Sequence, residues 1–188
     1  MSTRMHGSEE ALADLAYDRL ATRSGSRVLV GGLGMGFTAA AALARCGDAG
    51  SVVIAELVPK VVEWNRGVLA AAAGRPLDDP RTSIELADVA DVMRRKAAVW
   101  DGILLDVDNG PSPLSQDANQ WLYTRAGLKA AWRALKPGGV LTVWSANDDS
   151  GFTRRLEAER FAVTVHRVRA RGVKRGPRHV VWCAQKRA

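Results

Sequence analysis

Short apolar runs alternate with helix-patterned segments along this chain, and the runs are continuous rather than half polar. Arg27 to Val30, Ser51 to Glu56 (SVVIAE), Thr82 to Leu86, Asp101 to Val107 (DGILLDV) and Val140 to Trp144 read as strands. A strand that is apolar on both sides must be covered twice, and its usual setting is a parallel sheet with helices on both faces. The intervening segments supply the helices. Phe37 to Arg45 is rich in alanine, Val58 to Ala73 and Val89 to Lys96 follow the next two strands, and Asn119 to Leu135 is halted by Lys136-Pro137-Gly138-Gly139. Ser8 to Leu20 reads as a leading helix, with Ser8 as its cap, Glu9 and Glu10 in the first turn, and Leu12, Leu15, Ala16 and Leu20 on one face. Phe152 to Arg160 is a further helix. Phe161 to Val168 and His179 to Ala184 complete the pattern as two closing strands joined by a basic, glycine-containing loop. The expectation is an α/β chain with a mostly parallel, seven-stranded sheet.

With 188 residues, the chain suits one domain, preceded by a helical extension over residues 1–25. Hydrophobic residues at 47% and charged residues at 25% exclude a disordered chain, and no repeat points to a fibre. The longest uncharged run, the 17 residues between Arg27 and Arg45, is broken by Gly31, Gly32, Gly34 and Gly36. A membrane span needs about 20 apolar residues, and residues 1–10 hold no apolar signal core, so the sequence predicts a soluble, cytoplasmic protein with no membrane partner. Cys46 and Cys183 lie far apart in apolar surroundings, which predicts buried, reduced thiols. His6, His166 and His179 have no metal spacing, and no metal is expected.

The net charge of +7 is concentrated late, with eight basic residues and no acid from Arg167 to Ala188. A basic face favours polyanions, but only Trp182 is interleaved there. The lack of aromatic stacking residues argues against nucleic acid and for a solvated surface.

In open parallel sheets, ligands sit beyond the carboxyl ends of the strands. Polar and glycine residues gather at those ends. Gly31-Gly32-Leu33-Gly34-Met35-Gly36 follows the first strand, Glu56 ends the second, Asp88 follows the third, and Asp106, Asp108 and Asn109 follow the fourth. Glycines let the backbone approach a ligand closely, and an acid roughly 20 residues further on suits ribose hydroxyls. Asp88 can equally cap the helix that follows it. Gly32, Gly34 and Gly36 make G-x-G-x-G, with Phe37 at the third position of the dinucleotide fingerprint, and no phosphate-binding lysine follows. A single nucleoside fits better than a pyrophosphate.

The glycine loop, VVIAE, DGILLDVDN and WLYTRAGLKAAWRALKPGGVL together resemble the catalytic domain of spermidine synthase-like proteins. These are polyamine aminopropyltransferases within the Rossmann-like class I S-adenosylmethionine-dependent methyltransferase superfamily. The resemblance covers Arg27 to Ser145 and implies an alkyl transferase using S-adenosylmethionine or its decarboxylated form as co-substrate. It implies that Gly32, Gly34, Met35 and Gly36 face the donor, that Glu56 holds the ribose, and that Asp88 faces the adenine amino group. Asp106 would be the carboxylate beside the attacking amine.

The sequence departs from the family in several places. Met35 stands where aminopropyltransferases carry an acid in GGGDGG, and Asn109 where D-x-x-D has its second acid. Val30 stands where many methyltransferases have an acid. Only a helix fits before Arg27, where the family has a β-rich oligomerisation domain; a homodimer is left open. Asp108, Asn109, Trp121 and Tyr123 are placed to meet the acceptor, a small-molecule amine or another nucleophile, with Asp148 and Asp149 in reach. The favoured expectation is aminopropyl transfer to an amine. Methyl transfer to a small molecule or to RNA, and a non-catalytic nucleoside-binding module, are the alternatives.

Overall fold

In a computed structural model of the chain, the structure describes residues 6–22, 24–107, 110–111, 117–171 and 175–187. Helix α1 (Gly7–Tyr17) leads into β1 (Arg27–Gly31), α2 (Phe37–Arg45), β2 (Ser51–Glu56), α3 (Pro59–Arg66), β3 (Thr82–Leu86), α4 (Val89–Arg95) and β4 (Trp100–Leu105). The second half comprises α5 (Asp117–Tyr123), α6 (Arg125–Ala134), β5 (Leu135–Ser145), α7 (Ser150–Ala158), β6 (Phe161–Arg171) and β7 (Arg175–Lys186).

The seven strands form one sheet in the order β3-β2-β1-β4-β5-β7-β6. The five strands from β3 to β5 pair in parallel, whereas β7 is antiparallel to both β5 and β6. The sheet is therefore mixed. Its two closing strands are separated by only three residues in the chain, a separation that only an antiparallel pair can use.

Each face carries its own core. Leu12, Ala13, Ala16 and Tyr17 of α1 join Ala39, Ala42 and Leu43 of α2 and Val62 of α3 over Val28, Val52, Leu104 and Val181. On the other face, Met93 of α4, Leu128 and Ala131 of α6, and Phe152 and Leu156 of α7 cover Leu29, Ile103, Leu141 and Trp182. Helix α1 is thus part of a covering layer rather than an appendage. Burial pushes the Tyr17 hydroxyl up to about 12, despite its hydrogen bond from Ser26. Cys46 and Cys183 are both buried and free, and burial pushes the Cys183 thiol up to about 11. No helix among the described residues is long and apolar enough to cross a membrane.

Three segments differ from the sequence expectation. The helix expected from Asn119 to Leu135 is two helices, because Thr124 turns out of the helical path and its hydroxyl accepts from Gly127 N at 3.3 Å. The helix expected from Val58 to Ala73 ends at Gly67 and continues as a 3-10 turn over Ala70–Ala73. The basic loop expected between Val168 and His179 is largely strand, since cross-strand pairing continues to Arg171↔Arg175. Lys136 to Gly139 interrupts β5 as an irregularity between the Trp100↔Leu135 and Gly102↔Val140 rungs. Asp101 pins that corner, accepting from Arg27 N at 2.8 Å and Lys136 Nζ at 2.7 Å.

Gly127 lets α6 start directly against α5. A Cβ there would stand 2.3 Å from the Trp121 carbonyl oxygen and 2.6 Å from that of Leu122. Gly127→Ala is expected to destabilise the protein by about 1–3 kcal/mol, the cost of overpacking against backbone, read by urea denaturation.

Candidate active site

The carboxyl ends of β2, β1, β4 and β5 lie side by side at one end of the sheet. The chain between Gly31 and Phe37 turns there on Gly32, Gly34 and Gly36, all at positive φ, with Gly36 N donating to Leu33 O at 2.8 Å. Two of these positions have a contact that requires glycine. A Cβ on Gly32 would sit 2.7 Å from the Asp106 carbonyl oxygen, and one on Gly36 would sit 2.9 Å from Pro76 Cγ. The first brings the glycine loop against the end of β4, and the second lets α2 begin beneath the turn around Pro76. Met35 lies half-buried within the loop.

Glu56 is 8% exposed, and its carboxylate joins two crossovers. Its Oε2 accepts from Leu33 N at 2.9 Å and its Oε1 from Val58 N at 2.8 Å. A carboxylate has about four acceptor sites, so two amides leave capacity for ligand hydroxyls. Leu57 and Leu86, 65% and 59% exposed, flank the ends of β2 and β3 and present apolar surface beside that acid.

Asp106 follows β4 and is held to β1 by its own N–H, which donates to Gly31 O at 2.9 Å. Its Oδ2 accepts from Thr38 Oγ1 at 2.6 Å. Thr38 also lies 3.3 Å from the Glu9 carbonyl oxygen, so the first turn of α1 reaches the site. Next to it, Ser8 is buried and its hydroxyl meets His179 Nδ1 at 2.9 Å. Burial holds the His179 imidazole below its ordinary value, against the opposing pull of Glu9.

Asp88 caps α4, with Oδ1 accepting from Ala90 N at 2.8 Å. Asp149 caps α7 through Gly151 N and Phe152 N, and Asp148 pairs with Arg167 at 2.7 Å. Asp108 and Asn109 lie outside the described residues. Trp121 and Tyr123, expected to meet the acceptor, both lie on α5. Tyr123 is 4% exposed and meets the Phe152 ring edge-on within the core, and Trp121 packs against that core under the Arg94 guanidinium.

Thr38 and Asn65 escaped the sequence analysis, and Ser8, read there as the cap of the leading helix, lies inside α1, whose N-cap is His6. Asn65 of α3 is 2% exposed, and its amide donates to Gly34 O and Val61 O, each at 2.9 Å. It ties α3 to the glycine loop across 31 residues of chain. An asparagine in an otherwise amphipathic helix was the available signal.

No family model matches the chain. A polyamine aminopropyltransferase of Nitrosomonas europaea is 35% identical over 92 residues, 49% of this chain and 27% of that protein. Polyamine aminopropyltransferase 2 of Pseudomonas aeruginosa is 31% identical over 130 residues, 65% of this chain and 35% of that protein. The chain spans roughly a third of the length of these curated relatives. Spermidine synthase from Thermotoga maritima superposes with a TM-score of 0.76 at 24% identity, over 95% of this chain and 59% of that one. A SAM-dependent O-methyltransferase from Thermotoga maritima gives 0.63 at 19% identity, over 94% of this chain and 64% of that one.

The mixed seven-stranded architecture is thus the class I methyltransferase-like fold. Within that class, the sequence similarity is to polyamine aminopropyltransferases.

Asn65→Ala removes the hydrogen bond that holds the glycine loop from α3, together with the one to Val61 O within the helix. The expected loss is about 1–3 kcal/mol of stability, read by urea denaturation, with faster hydrogen exchange at Leu33 N and Gly36 N.

Proposed function

We propose that the chain transfers an aminopropyl group from decarboxylated S-adenosylmethionine to an amine. The observation that carries this reading is the placement of two acids on either side of the glycine loop. Glu56 lies at the end of β2 and Asp106 beyond β4, with the glycine loop of β1 between them. The sequence similarity to polyamine aminopropyltransferases supports the choice of alkyl group.

The residues suit such a donor. Glu56 receives ribose hydroxyls on its remaining acceptor sites, Leu57 and Leu86 cover the faces of a base, and Asp88 keeps Oδ2 toward an exocyclic amine while Oδ1 caps α4. Bound, the sulfonium supplies a carbon that already carries its leaving group.

Asp106 then acts on the acceptor. An amine is protonated in water and cannot attack until it loses that proton. The carboxylate, oriented by the Thr38 hydroxyl on Oδ2, holds the ammonium and takes one proton from it, which frees the lone pair that then forms the nitrogen–carbon bond. The carbon–sulfur bond breaks as its electron pair passes to sulfur, releasing methylthioadenosine.

Methyl transfer from S-adenosylmethionine is the second reading, and a specific observation favours it. Met35 replaces the acid that a cationic aminopropyl tail would meet, and α2 starts at Gly36 with no side-chain cap. Uncapped helix N–H groups suit a donor tail that ends in a carboxylate.

Asp106→Asn is expected to keep nucleoside binding and lower turnover by about 100-fold or more, the range for a lost general base. Glu56→Ala is expected to weaken methylthioadenosine by about 1.5–3 kcal/mol, the scale of hydrogen bonds to a charged group, read by calorimetric titration. Mass spectrometry of products formed from each donor with an amine panel separates aminopropyl from methyl transfer. Full activity in the Asp106 variant would remove Asp106 from the mechanism.

A further inference from the structure

The basic C-terminal segment is an arginine-lined hairpin projecting from the site's end of the sheet. β7 leaves β5 at the Ser145↔Val180 rung and runs on through residues 175–179. At about 3.4 Å per residue, the hairpin reaches roughly 17 Å past the end of β5. Since β5 is parallel to β4, this is the end at which Asp106 stands. Across the sheet, Glu56 and the glycine loop occupy the β2–β1 side, and the hairpin flanks the opposite side beyond β5.

The register places like charges against each other. Arg169 pairs directly with Arg178, and Arg171 with Arg175. Arg167 lies two residues before Arg169, so Arg167, Arg169 and Arg178 share one face of the hairpin. It is the face that continues Val163, Val165, Val180 and Trp182 outward from the core under α7. Directly opposed like charges destabilise a hairpin, and the Arg169–Arg178 rung carries that cost. Arg167 is joined to Asp148, Arg169 donates to Gly176 O, and Arg178 is exposed.

We propose that this arginine ladder is a docking surface for a nucleic-acid strand. Same-face residues on a strand recur every ~6.8 Å, and such a row matches a polymer with one charge per repeat better than a single carboxylate or phosphate. Phosphates laid along it would offset the arginine–arginine repulsion that the fold leaves in place. The sequence argued against nucleic acid because stacking aromatics are lacking, but phosphate contacts alone carry non-specific binding. The position beyond β5 would bring the bound strand up to the Asp106 end of the sheet. The surface is independent of which alkyl group is transferred.

The test uses the full chain, a short labelled single-stranded RNA and fluorescence anisotropy, without donor. Binding should weaken steeply between about 50 and 200 mM salt, and each lost phosphate contact should lower the logarithmic salt slope by about 0.7. Arg169→Ala with Arg178→Ala should therefore lower that slope by about 1.4 and weaken binding about tenfold or more at low salt. Its melting temperature should hold or rise, because a like-charge rung is gone. Arg178→Gln alone, at an exposed position, should lower the slope by about half as much, so the test survives if the double variant misfolds. No salt-dependent binding, unchanged affinity in a folded variant, or equal binding of polyglutamate would overturn the proposal. Loss of RNA binding with alkyl transfer to a free amine intact would leave the transfer reading standing.

Discussion

A buried carboxylate has to be given hydrogen-bond donors or it will not stay ionised and in place. Glu56 receives two, from Leu33 N and Val58 N, and they come from different crossovers. That one group fixes the glycine loop relative to the end of β2, and Gly32 then fixes the loop against Asp106 of β4. Asn65 closes the loop from the α3 side through Gly34 O. The arrangement is built from the backbone amides and carbonyls that a strand-to-helix turn leaves over. A ligand meeting it finds the acid already oriented, so little ordering free energy remains to be spent on binding.

The local parts of this arrangement were legible in the sequence. Ser51–Glu56 and Phe37–Arg45 form as read, because a continuous apolar run and an alanine-rich segment leave little choice of period. The glycine loop and Glu56 lie on neighbouring turns, and the cap at Asp88 is a local signal. What the sequence concealed depends on segments far apart in the chain. Thr38 meets Asp106 across 68 residues, and Ser8 meets His179 across 171. No window contains both partners. The helix break at Thr124 was hidden for a different reason: its apolar periodicity continues across the break, and only the side-chain cap reveals it.

The basic hairpin was misread by composition. Arginine, glycine and proline between Val168 and His179 resemble a loop, yet cross-strand pairing holds most of that segment in the sheet. Strand preference is set by context more than by residue type, and the long pairing of β6 with β7 supplies that context. Trp182 anchors the pair from below, with its ring against Phe152 and its indole N–H donating to Thr153.

The reversal of β7 decides what stands beside the site. Had the last two strands joined the sheet through parallel crossovers, each would have required a connection of a dozen residues or more, with each new strand starting at the end opposite the site. With β7 antiparallel between β5 and β6, the last residues of β6 and the first of β7 lie at the same end as Glu56 and Asp106. Acids then line the β2–β4 side of that end, and arginines project beyond β5. Over roughly 10 Å of salt solution such charges are largely screened from one another, so the two sides can hold opposite potentials at once. On the proposed reading, a nucleoside with a cationic sulfur would be drawn to the acids, and an anionic chain to the arginines. The mixed topology, more than either group of residues alone, is what places those two chemistries at one end of one sheet.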